Sequence, residues 1–93
     1  MPLIIVRVEL HGATEQQYEL LHAAMAKLGF SRYITDFAGG KFQLPTAEYA
    51  INSSLSASAI RVEVSKVAKA IGNNPWILVS KTSETDWELH KVN

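Results

Sequence analysis

Few side chains in this sequence are of a type that moves protons or grips phosphate: three histidines, two arginines in β-type segments, and one aspartate at the exit of such a segment. Histidine titrates nearest neutral pH, so it comes first for acid–base work. His22 follows Leu21 in a stretch of helical periodicity, at the edge of its apolar stripe. It reads in two ways, as a boundary side chain with a wet tip or as a proton donor or phosphate contact. His11 ends an apolar stretch and reads as an exposed turn residue, while His90 has no visible partner. Asp36 stands where a turn-side role competes with a catalytic one. Arg7 alternates with apolar neighbours and projects to the polar side of its segment, where a nucleic-acid backbone could lie. A cross-strand pair with a carboxylate such as Glu48 is the competing role. Arg32 is the second cation of this kind.

Other chemistries lack their residues. There is no cysteine, so disulfides, zinc–thiolate sites and thiol nucleophiles are excluded, and the composition fits a reducing cytoplasm. Nine basic and nine acidic side chains cancel, so a polyanion must be met by a local patch. An RNA recognition motif needs aromatic platforms on its central strands. The first strand here has none, and Tyr49 alone stands on the third. Gly39-Gly40 is a turn signal, and no phosphate-cradling glycine loop occurs. The longest strongly apolar run, Leu3-Ile4-Ile5-Val6, is far short of the ~20 residues of a spanning helix. It has no basic stretch before it, so no signal peptide and no membrane contact are expected. Neither a cofactor nor a metal site is assigned.

The elements that must position these residues follow from spacing. Leu3 to Leu10 alternates, with Ile4, Val6, Val8 and Leu10 on one side, which is a strand covered on one face. Thr14 with Gln17 has the capping-box spacing. Tyr18, Leu21, Met25 and Leu28 then form a helical stripe, and Gly29-Phe30 closes the helix in Schellman fashion. A second strand spans Arg32 to Ala38, and Gly39-Gly40 ends it. Lys41 to Ala47 reads as a loop holding Pro45, and Glu48 to Ser53 as a third strand that pairs with the second. Ser56 or Ser58 caps a second helix carrying Ile60, Val64, Val67 and Ile71. Gly72 closes it, and Asn73-Asn74-Pro75 prevents continuation. Trp76 to Lys81 is the fourth strand. Thr82 to Asn93 fits a strand or hairpin through Trp87 and Leu89, or a short helix capped at Ser83.

The order β, α, β, β, α, β over a single domain of residues 1–93 predicts an α+β, ferredoxin-like sandwich. Its four-stranded antiparallel sheet has the first and third strands central. Both helices lie on one face, and the other face is open as a working or dimerisation surface. A homodimer is compatible with that open face.

One stretch carries a family resemblance. From Gly29 the chain reads Gly-Phe-Ser-Arg-Tyr-Ile-Thr-Asp, then Gln43-Leu44-Pro45, then Glu48-Tyr49-Ala50-Ile51-Asn52 and the Ser54-Leu55-Ser56-Ala57-Ser58-Ala59-Ile60 segment. This resembles the GhoS family, the endoribonuclease antitoxins of type V toxin–antitoxin systems, over roughly residues 3 to 81. The resemblance implies a ferredoxin-like fold close to that of the CRISPR adaptation nucleases. It also implies an RNase that cuts the messenger RNA of a small membrane toxin, with RNA and not DNA as partner. Such cleavage needs a base for the 2′-hydroxyl, an acid for the leaving oxygen and cations for the phosphate. His22, Asp36, Arg7 and Arg32 are the residues available for those roles. The alternative from another class is a non-catalytic binding or dimerisation module that uses the open sheet face. A small-ligand regulatory domain has no support beyond analogy of fold.

Overall fold

The computed structural model describes residues 1–72 and 74–93. Strand β1 (Leu3–Glu9) keeps the expected alternation, and Ile4, Val6 and Val8 are fully buried. Helix α1 (Glu15–Lys27) opens with the capping box: Thr14 Oγ1 accepts from Gln17 N at 3.2 Å and Gln17 Oε1 accepts from Thr14 N at 2.8 Å. It ends in the Schellman pattern. Gly29 N donates to Ala26 O and Phe30 N to Met25 O, both at 3.0 Å. Gly29 sits at φ +97°, which an L side chain rarely adopts. Helix α2 (Ala57–Ile71) is capped by Ser56, whose Oγ accepts from Ala59 N. Of the residues expected to stop it, Asn73 lies outside the described residues.

Strand β1 lies between β4 (Glu48–Asn52) and β5 (Trp76–Thr82), antiparallel to both. The apolar side of β1 meets Leu21 and Met25 of α1, Ile60, Val64 and Ala68 of α2, and Phe30 and Tyr49 in one core. Burying each large member of such a core is worth about 1.5–3 kcal/mol.

Three expectations need correction. The four-stranded sheet is instead a three-stranded sheet, β4-β1-β5, and a separate pair, β2 (Tyr33–Thr35) with β3 (Lys41–Gln43). Strand β3 lies inside the expected loop. The tight turn at Gly39-Gly40 sends the chain straight back along β2 and takes its ladder. Backbone pairing between this lobe and β4 is reduced to the Ser31–Ala50 bridge, whose two N–H···O bonds are both 2.8 Å. Residues 83–93 form no strand. They run extended beside β3, where Gln43 N donates to His90 O at 3.0 Å and Val92 N to Lys41 O at 2.8 Å.

The sheet's reverse face is also not open throughout. Leu3, Ile5 and Ala50 on that face pack with Ile34, Phe42, Leu44, Trp87 and Leu89 in a second core. Exposing so many apolar side chains would cost more than ordering the tail over them. Only the half carrying Arg7, Glu9, Trp76 and Leu78 stays bare, with Trp76 67% and Leu78 64% exposed. Among the described residues no helix is long and apolar enough to cross a membrane.

Candidate functional site

Tyr49 points into the helix-side core from the middle of β4, opposite Val6 in register, and is fully buried. A buried phenol must place its hydroxyl against a partner. His22, on the flank of α1, supplies it: Nδ1 lies 2.6 Å from the Tyr49 hydroxyl, with ring centroids 5.7 Å apart. The register of α1 sets this contact, because Leu21 and Met25 commit the helix face to the core and leave the next position on its rim. Tyr18 lies on the other side of His22, its ring centroid 6.5 Å away and its own hydroxyl occupied by the backbone of Leu10.

Arg32 acts electrostatically on both His22 and Tyr49. It sits between α1 and β2, where the backbone is pinned on both sides. Ser31 bridges to Ala50, and the Arg32 carbonyl accepts from Leu44 N at 2.8 Å. Its Nε is buried and has no hydrogen-bond partner among the described residues. A buried donor left unpaired is costly, so this N–H is suited to an acceptor brought by a ligand.

The protonation states follow from burial and charge. Burial, helped by Arg32 and opposed by Glu19, pulls His22 below its ordinary value of 6.5, so the ring is neutral at pH 7. Burial pushes Tyr49 up to about 12, so its proton stays in place. That proton has no acceptor among the described residues other than His22 Nδ1. The hydrogen-bond network therefore assigns the ring proton of His22 to Nε2. The site sets a neutral imidazole within electrostatic reach of a guanidinium, two donor types whose chemistry suits an anion.

The sequence candidates divide. His22 and Arg32 come together. Arg7 lies on the reverse face of the sheet, opposite Glu48 in register, and the one ion pair within 4 Å among the described residues is the exposed Lys66–Glu63 at 3.8 Å. Asp36 caps its own turn: Oδ1 accepts from Ala38 N at 3.0 Å and from Gly40 N at 2.7 Å. His11 packs edge-on to Trp76 at 4.5 Å. Sequence reasoning does not single out Tyr49 for chemistry, although a tyrosine in a buried strand signals a hydroxyl that needs a partner. Among the described residues no three His, Asp or Glu side chains group so as to hold a metal ion.

No individually curated protein matches the chain. Residues 3–88 match the family described as Endoribonuclease GhoS, a span that takes in every strand, both helices and Trp87 of the tail. With nearly the whole chain matched, the protein belongs to the GhoS endoribonuclease family.

Proposed function

We propose that this protein is an antitoxin-type endoribonuclease that cuts the messenger RNA of a small membrane toxin, with Arg32 and His22 gripping the scissile phosphate. Family membership over residues 3–88 is the observation that carries the reading. In cleavage by the neighbouring 2′-oxygen, a bond forms to phosphorus, the P–O5′ bond breaks, and the crowded phosphorus centre gathers negative charge. Arg32 offers that charge a cation and an Nε–H that has no partner among the described residues. His22 adds Nε2–H, and Tyr49 holds the imidazole in that tautomer. Arg7, on the other face, is assigned to the RNA backbone and not to the reacting phosphate. Asp36 is assigned to shaping the β2–β3 turn. The chemistry invokes no cofactor.

The fold is read as ferredoxin-like, a reading supported by the isolated Ser31–Ala50 bridge, which sets the chain entering β2 beside β4. A messenger RNA substrate places the protein in the cytoplasm. With a net charge of zero, binding depends on a few local cations and weakens steeply with salt only in proportion to them.

Purified protein incubated with the toxin transcript tests the reading. Wild type is expected to cut. Arg32→Gln is expected to lose on the order of 100-fold in rate, and His22→Gln about tenfold. Intact RNA in the wild-type reaction would overturn the proposal, and equal cutting by both variants would remove the residue assignments. The exposed Trp76 and Leu78 favour a second reading, a non-catalytic module that forms a homodimer through the bare half of the sheet. A sedimentation mass of one chain at high concentration would eliminate that dimer.

A further inference from the structure

A groove of about 960 Å³ runs between the β2–β3 hairpin, the end of β4 and residues 85–87. Its lining residues include the aromatic Tyr33, Phe37 and Trp87, the acidic Asp36 and Asp86, and Lys41. We propose that this groove receives one unpaired base of an RNA strand, guanine fitting best. The proposal rests on the ribonuclease reading for its source of RNA, but not on His22 or Arg32.

Phe37 marks the place. Its side chain is fully exposed, at 113% relative accessibility. That exposure is built in, because the Asp36 carboxylate accepts from Ala38 N and Gly40 N and fixes the turn that carries the ring outward. The other two rings are partly engaged. Lys41 Nζ lies 4.4 Å above the Tyr33 ring, and Trp87 packs against Phe42 at 5.7 Å. Phe37 has no aromatic partner among the described residues, so it is a free stacking platform. Stacking on such rings is a common way for proteins to hold single-stranded RNA.

Charge selects the part of the nucleotide that enters. Two carboxylates against one ammonium repel a phosphate and welcome N–H donors. Oδ1 of Asp36 accepts two bonds from its own turn, whereas among the described residues Oδ1 of Asp86 accepts only from Trp87 N, at 3.0 Å, and keeps a second lone pair. Oδ2 of Asp86 takes no hydrogen bond among the described residues. A carboxylate suits two parallel donors. Guanine offers N1–H and N2–H side by side. Adenine and cytosine set a donor beside an acceptor, and uracil flanks its N3–H with two carbonyls. Lys41, at the same groove, is placed for the flanking phosphate.

The test uses Trp76→Phe protein, so that Trp87 is the only tryptophan of the two. The probes are 2′-O-methyl hexanucleotides, which a 2′-oxygen mechanism cannot cut, of uridine with one central guanosine or one central adenosine. A third arm is 5′-GMP. The guanosine strand is expected to quench Trp87 and bind about tenfold tighter than the adenosine strand. Asp86→Asn should erase that preference, and Phe37→Ala should weaken both strands ~10-fold with an unchanged thermal melt. Equal binding of the two strands by the parent protein, or a preference that survives Asp86→Asn, overturns the guanine assignment. GMP binding as tightly as the strand shows a free-nucleotide pocket and overturns the RNA role, and binding without change at Trp87 points to another surface and overturns the groove. Protein that prefers guanosine here yet leaves the toxin transcript whole would sink the proposed activity and spare the groove.

Discussion

At the scale of single residues, the coupling of His22 to Tyr49 and Arg32 makes a definite titration. The His22 resonance in a proton NMR titration should move with an inflection below 6.5. Arg32→Gln should shift that inflection up, Glu19→Gln should shift it down, and Tyr49→Phe, which removes the donor to Nδ1, should shift it up. The folded state binds this proton less readily than the unfolded state does. Its contribution to stability is therefore whole above 6.5 and lost as pH falls from there through the folded value. Tyr49 works in the opposite sense. Its contribution is whole below pH 10 and is lost as pH rises toward about 12. Tyr49→Phe should cost about 1 kcal/mol at neutral pH, read from a denaturant midpoint, and should abolish the alkaline effect. His22 and Arg32 are legible in the sequence because their types are rare and their chemistry is specific. The hydroxyl that orients the imidazole is not, since the His22–Tyr49 contact joins residues 27 apart in the chain.

At the scale of elements, the two helices and the central strand are legible, because each combines a clear period with a capping or stopping residue. The β2–β3 hairpin is only half legible: β2 falls inside the strand expected over Arg32 to Ala38, whereas β3 falls inside the expected loop. Three-residue strands are too short to show a period, and what fixes them is a turn whose geometry rests on side chain–backbone bonds. A Cβ at Gly40 would stand 2.9 and 3.1 Å from the Asp36 carboxylate oxygens and 3.1 Å from Phe42 Cε2. The carboxylate cannot swing aside without losing its bonds to the turn. Gly40→Ala should therefore destabilise by about 1–3 kcal/mol, seen as a lower denaturant midpoint at unchanged slope. Gly39 sits at φ +85°, and a Cβ there would meet nothing within 4 Å, so this position should tolerate asparagine far better than valine.

At the scale of the whole molecule, the hidden part is the reverse core. Trp87 and Leu89 are visible as apolar residues spaced for a strand. Their destination is not, because no local pattern says which surface a tail will cross. Spacing alone leaves that surface bare, and the structure covers half of it. The two tryptophans separate the covered half from the bare one. Trp87→Ala should cost roughly 2–4 kcal/mol, somewhat under a full core deletion because the ring is only half-buried. Trp76→Ala, on the exposed half, should fall within about 0.5 kcal/mol of wild type. Similar losses for both would mean that the tail does not pack as described.

Strand β1 takes its neighbours from residues 48–52 and 76–82, and feeds alternate side chains into cores on both faces. During synthesis on a ribosome it emerges well before residues 76–82 and must wait for them before its second edge can be filled. Until then Ile4, Val6 and Val8 sit on an unfinished ribbon, which is the kind of segment that sticks to other nascent chains. Newly made molecules should thus depend on holding chaperones more than their small size suggests.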